Sequence, residues 1–132
     1  MEDRTTEIYE AVGNDAPFYA LVEVFYQGVE QDPVLRRLYP DDLSEAKEHL
    51  ALFLIQRFGG HGAYSTKRGH PRLRMRHVPF TIGLAERDAW LTHMMNAVRA
   101  VSEFAPHSAA LETYFTDAAN FLVNKAAVPS LS

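Results

Sequence analysis

The chain has 132 residues, 47% of them hydrophobic and 23% charged, a composition that fits one globular domain over residues 1–132 with a single core. It contains no cysteine, so disulfides, thiolate-held zinc, iron–sulfur clusters and cysteine-linked haem are excluded by residue supply, and an intracellular protein is expected. The formal net charge of −4 argues against a nucleic-acid partner, because phosphate neutralisation needs a basic face.

The N-terminal Met1 to Glu7 is polar and acidic, and no later apolar run approaches the roughly 20 residues of a membrane span. A soluble, cytoplasmic protein without stable membrane insertion is therefore expected. Charge is unevenly placed: Lys67, Arg68, Arg72, Arg74 and Arg76 form a basic run without an acid, leaving −9 elsewhere. The pattern leaves room for an anion site in that run.

Helical periodicity dominates, with no alternating β-branched run, so the fold class is all-α. The first short helix spans Thr6 to Val12 and stops at Gly13-Asn14, two residues that tolerate left-handed backbone. Phe18, Leu21, Val22, Phe25 and Val29 share one stripe of a helix from Pro17 to Glu30, with Tyr26 at its border. Asp32-Pro33 reads as an N-cap followed by proline at the first helical position, and Pro40 closes that turn.

A fourth helix, Leu43 to Phe58, places Leu43, Ala46, Leu50, Phe53, Leu54 and Phe58 on one face and ends at Gly59-Gly60. From His61 to Arg72 the pattern is lost, and an ordered but irregular connection is expected. A short helix around Leu73 to His77 ends at Pro79. Gly83 to Glu86 resembles an N-cap with glutamate at the third helical position, opening a helix whose apolar face holds Trp90, Met94, Ala97, Val98 and Val101. Pro106 interrupts, and a last helix from Ser108 to Lys125 carries Leu111, Tyr114, Phe115, Ala118, Leu122 and Ala126 on its buried side.

Six histidines are present, and His49, His61, His93 and His107 read as surface or satisfied core residues. His77 differs: it follows Arg74-Met75-Arg76 and precedes Val78-Pro79-Phe80, so a basic and an apolar flank meet at an imidazole near a helix end. Haem needs that combination, with a neutral imidazole for iron, apolar walls for the porphyrin and cations for its propionates. A solvated basic loop with an incidental histidine explains the same residues. Zinc is disfavoured, since His61, His70 and His77 are joined by no His-Glu-x-x-His pattern and no cysteine. No Gly-x-Ser-x-Gly turn or phosphate-cradling glycine loop occurs, which removes the corresponding hydrolase and nucleotidyl readings.

Phe25-Tyr26, Leu35 to Pro40, Gly59-Gly60, Arg68 to His77 and Glu86 to Leu91 together resemble the group II truncated haemoglobins of actinobacterial type, over residues 6 to 126. The resemblance implies a two-over-two helical sandwich, a shortened globin, holding haem b (iron protoporphyrin IX). It makes His77 the proximal iron ligand and places Tyr26, Tyr39 and Trp90 on the distal side. It puts Ala46 where many globins hold a distal histidine, with Leu50 one turn later. Gly13-Asn14 stands where the family pattern has a glycine pair. The apolar wall is expected from Phe53, Leu54, Phe58, Leu73, Phe80 and Met94, with Phe25 beside them, and propionate contacts from Tyr64, His70, Arg72 and Arg76.

The implied function is binding of O2, CO, NO or related small ligands, with slow oxygen release because distal O–H and N–H groups donate to the bound gas. Nitric oxide dioxygenase or peroxidase-like turnover would require an unidentified electron donor, and a homodimer is left open. Outside haem, the alternative is a small helical interaction or regulatory module whose basic loop meets an acidic partner.

Overall fold

Asn14 and Gly13 adopt φ of 74° and 96°, so the turn after the first helix uses the left-handed backbone that these two residues accept most readily. The computed structural model describes residues 4–70, 72, 77 and 81–124. A 3-10 turn, Arg4–Glu7, leads into α1 (Ile8–Ala11), and α2 (Asp15–Glu30) follows the turn. The α2 stripe forms as its periodicity requires: Phe18, Leu21, Val22, Phe25 and Val29 are buried, and Tyr26 is buried with them.

Helix α3 (Pro33–Arg36) opens at Asp32, whose carboxylate accepts from the Val34 N–H at 2.9 Å, with Pro33 at the first helical position. Helix α4 (Ser44–Arg57) ends at Gly59, where φ is 100° and a Cβ would lie 1.7 Å from the Thr6 carbonyl oxygen. Only glycine allows that close approach of the N-terminal turn to the end of α4, and the Tyr9 N–H donates to the Phe58 carbonyl at 2.9 Å beside it.

The stretch after Gly60 departs from the expected irregular connection. It forms α5 (Ala63–Arg68), anchored by side chains of the preceding helix: Gln56 Oε1 accepts from the Ser65 N–H at 3.1 Å, and Gln56 Nε2 donates to Ser65 Oγ at 2.8 Å. Tyr64 is buried against Phe53 with ring centroids 5.4 Å apart. Tertiary contacts thus stabilise a helix too short to persist alone. The neighbouring helix expected at Leu73 to His77 lies largely outside the described residues, although His77 itself is helical and partly buried.

Helix α6 (Leu84–Ala100) begins as expected, with the Gly83 N–H donating to Glu86 Oε1 at 2.7 Å. Pro106 sits within a 3-10 helix, Ser102–His107, which runs directly into α7 (Ser108–Leu122). That last helix stops three residues before the expected Lys125; Lys125 and Ala126 lie outside the described residues.

Four long helices dominate: α2 packs against both α6 and α4, and α6 packs against α7. Their inner faces meet in one core containing Phe18, Phe25, Phe58, Phe104 and Phe115. Fully burying a side chain of this size contributes about 1.5–3 kcal/mol relative to leaving it in water. Rings continue outward from that core, from Phe58 to Phe115 (6.4 Å), Trp90 (5.8 Å), Phe25 (5.6 Å), Tyr26 (4.9 Å) and Tyr39 (5.5 Å). The core therefore extends without a break into the wall of the site.

Candidate functional site

Helix α4 carries two neighbouring apolar stripes, not the single face expected. Ala51, Leu54, Ile55 and the adjoining Phe58 are buried towards the core, whereas Ala46, Leu50 and Phe53 are partly buried and line a cavity of about 430 Å³. Leu54 reaches the cavity as well. The same cavity is lined by Tyr26 from α2, Tyr39 and Pro40 from the loop after α3, Tyr64 and Arg68 from α5, His77, Trp90 from α6, and Tyr114, Phe115, Ala118 and Leu122 from α7. A second cavity of about 190 Å³ adjoins it, sharing Tyr39, Pro40, His77, Trp90 and Leu122.

The sequence-derived residues divide accordingly. Tyr26, Tyr39, Trp90, His77, Tyr64, Phe53 and Leu54 come together around the cavity. Phe58 and Met94 are fully buried in the core and are absent from the cavity lining, so they hold helix against helix. His70 and Arg72 are exposed and paired locally, the Arg72 N–H donating to His70 Nδ1 at 3.2 Å, and neither lines the cavity. Leu73, Arg76 and Phe80 lie outside the described residues. Sequence reasoning passed over His49 and Arg68, which meet at the cavity with Arg68 Nη1 3.0 Å from His49 Nδ1. They are 19 positions apart on two helices, and no periodic signal joins them.

The rings of Tyr26 and Tyr39 are set edge to face, with centroids 5.5 Å apart. Burial pushes the Tyr39 hydroxyl up to about 12 and raises Tyr26 further, so both stay protonated over the physiological range. Burial also raises Tyr114, against the opposing influence of the Arg57 guanidinium, which lies 4.6 Å from its ring centroid. Burial, then the charge of Arg68, lowers His49, which favours the neutral imidazole that can accept from that guanidinium.

The backbone around His77 is tied to the end of α7. Asn124 Nδ2 donates to the His77 carbonyl at 3.2 Å, Asn124 Oδ1 accepts from the Ile82 N–H at 2.8 Å, and the Asn124 N–H donates to the Ile82 carbonyl at 2.8 Å. On the other side, α3 is tied to α6 by Asp32 Oδ2 and His93 Nε2 at 2.7 Å and by Arg37 Nη2 and Glu86 Oε2 at 2.9 Å. Trp90 lies between those two anchor points on α6. A Cβ at Gly28 would stand 2.4 Å from His93 Nδ1, so glycine is what lets that ring lie against α2.

The family model of the bacterial-like globins matches residues 7–124. The chain belongs to that family. Its relatives fall in the group II truncated branch: the group 2 truncated hemoglobin YjbI of Bacillus subtilis (strain 168) is 41% identical over 90 residues, covering 68% of this chain and 67% of that protein. The hemoglobin of Chloroflexus aurantiacus is similar in structure, with a TM-score of 0.87 at 52% identity over 89% of this chain and 98% of the other. The truncated oxygen-avid haemoglobin of Bacillus subtilis gives 0.83 at 36% identity, over 89% and 98%. This globin accordingly has the two-over-two helical sandwich, and haem-based binding of small diatomic ligands is its function.

The residues present fit haem. The apolar cavity is lined by two imidazoles, of which His49 lies 3.0 Å from the Arg68 guanidinium and His77 is the candidate for iron, and that guanidinium suits a carboxylate, although the Glu45 carboxylate stands in the same lining. Among the described residues no group of three or more His, Asp or Glu could hold a metal ion.

Proposed function

We propose that this globin holds haem b through His77 and retains dioxygen with donors from Tyr26, Tyr39 and Trp90. The carrying observation is that these four side chains, contributed by four separate stretches of chain, line one cavity. Absence of cysteine leaves a non-covalently held b-type group as the fitting choice. Haem, when bound, supplies the iron at which small ligands are taken up.

The protein's own contribution is positioning and polarity. The hydroxyls of Tyr26 and Tyr39, both lining the cavity, can donate or accept, while the indole N–H of Trp90 can only donate. Hydrogen bonds to an acceptor with anionic character contribute about 1.5–3 kcal/mol each. Removing one should speed ligand escape about ten- to a hundredfold at ~1.4 kcal/mol per decade. The oxygen-avid relative supports the same direction. Arg68, which lines the cavity with His49 and Tyr64, would supply the cation for a porphyrin carboxylate.

Substituting His77→Gly tests the ligand assignment. Purified variant protein should lack the ferrous absorption bands of the wild type; unchanged bands would exclude His77 as the iron ligand. Stopped-flow mixing of the oxygenated protein with nitric oxide, with and without a reductant, separates retention from turnover.

A further inference from the structure

The loop between α3 and α4 carries Tyr39 but has little backbone structure of its own. Leu38 and Tyr39 donate back to Leu35 and Arg36 at 2.9 and 3.2 Å, and the Ser44 N–H is taken up by Asp42 Oδ1 at 2.9 Å where α4 begins. Between those points Pro40 has no N–H to give. The carbonyls of the loop are instead collected by one side chain. Arg36 Nη1 donates to the Tyr39 carbonyl at 3.3 Å and to the Pro40 carbonyl at 3.0 Å, and Nη2 donates to the Asp41 carbonyl at 2.9 Å.

Three successive carbonyls on one guanidinium define the path of the backbone at Tyr39. A planar fork with fixed donor directions can do this, whereas an ammonium on a flexible stem cannot hold the same three directions at once. Tyr39 has no helical backbone to fix it, yet its ring meets that of Tyr26 edge to face at 5.5 Å, and α2 holds Tyr26 in the core. A displacement of the loop therefore reaches the cavity as a broken tyrosine pair.

We infer that Arg36 is a positioning residue for ligand retention, fixing the Tyr39 backbone so that Tyr39 keeps its place beside Tyr26 in the cavity wall. The inference rests on the proposed donor role of the tyrosine pair. Arg36 does not line that cavity; it lies on the far side of the loop, in a polar recess with Glu30, Asp41, Asp42 and Lys47. Its influence on the ligand must pass through Tyr39.

The test compares Arg36→Met, Arg36→Lys, Tyr39→Phe and the double variant Arg36→Met/Tyr39→Phe, each as haem-loaded protein. Three quantities are read: the oxygen dissociation rate, the C–O stretching frequency of the carbon monoxide complex, and amide hydrogen exchange over residues 38–44. Arg36→Met should speed oxygen release about three- to tenfold, the size expected for coupled neighbours. It should shift the C–O stretch in the direction of Tyr39→Phe, raise loop exchange, and add nothing once the Tyr39 hydroxyl has been removed. Arg36→Lys, which retains the charge, should behave like the methionine variant and serves if that variant folds poorly. A variant that lowers the melting temperature but leaves release and the C–O stretch unchanged would reduce Arg36 to a loop clamp and overturn the inference. So would equal effects of Arg36→Met in the wild-type and Tyr39→Phe backgrounds. If Tyr39→Phe alone is silent while Arg36→Met is not, the donor role of Tyr39 fails and the inference fails with it, a pattern distinct from the other two.

Discussion

Where Tyr26 joins the cavity wall, Phe25 and Tyr26 are buried among rings 4.9–5.6 Å apart, whereas beside the polar mouth where His49 meets Arg68, the neighbouring Lys67 and Glu48 pair with 55% and 45% of their side chains exposed. The wall is an extension of the core, and its geometry is set by packing that cannot change without opening a void. The mouth is set by charges between the first half of α4 and the end of α5, where solvent screens each pair and long side chains have other rotamers available. A site that must discriminate among ligands of two atoms is built on the stiff region.

Removing a ring should break the wall first. Phe25 is fully buried, touching the rings of both Tyr26 and Trp90, and Phe25→Ala should cost about 3–5 kcal/mol of stability. Urea denaturation of the apoprotein measures this loss. The same truncation at the mouth, Lys67→Ala, should leave the denaturation midpoint unchanged, since Lys67 is solvent-exposed; a comparable loss there would erase the distinction between the two regions.

Donor removal is the next largest effect. Trp90→Phe keeps the aromatic packing against Phe25 and Phe115 but deletes the indole N–H, and should accelerate oxygen dissociation about tenfold to a hundredfold in stopped-flow displacement. If Trp90→Phe and Tyr26→Phe both leave the rate unchanged, the wall confines the ligand by shape alone.

These two regions also differ in what the residues disclose beforehand. The stripe Phe18 to Val29, the Asp32-Pro33 cap and the Gly83–Glu86 start were legible because each depends on contacts within one turn or one face of a helix. Tyr26, Tyr39, Trp90 and His77 needed a family resemblance, since side chains on four stretches converge only through the fold. Helix α5 was missed because its six residues are held by Gln56 and Phe53, neither of which marks its sequence. The second stripe of α4 was read together with the first, because a cavity wall and a core wall are equally apolar. Arg36 sat in a recognisable run, but the three carbonyls it gathers are backbone atoms and leave no trace in residue identities.

Alkaline titration should report on the wall. Tyr26 and Tyr39 are raised above the ordinary tyrosine value of 10.0, so below pH 10 both states are neutral and their stabilisation is fully present. Above it the unfolded chain ionises while the folded pair does not, and stability falls by up to about 1.4 kcal/mol per pH unit for each tyrosine until the folded values are reached. Tyr26→Phe/Tyr39→Phe should flatten that alkaline limb in thermal denaturation of the apoprotein. An equally steep limb in the double variant would assign it to other groups.

Acid titration should report on the mouth, with the smallest effect. His49 is lowered from 6.5 by burial and by Arg68, opposed by the carboxylates of Glu45 and Glu48, with Lys67 adding to the positive side. A histidine lowered in the folded state contributes stability that is present above the unfolded value and is lost as pH falls through the folded one. Protonation also removes the lone pair that accepts from Arg68 Nη1 at 3.0 Å. Because this pair is largely solvated, the melting temperature should drop by only about 1–2 °C between pH 7 and pH 5 from this source. His49→Gln offers an amide oxygen to Arg68 at every pH and should remove that part of the slope, while Tyr39→Phe should leave it intact. A slope that follows the tyrosine substitution instead would mean that the mouth and the wall titrate as one unit.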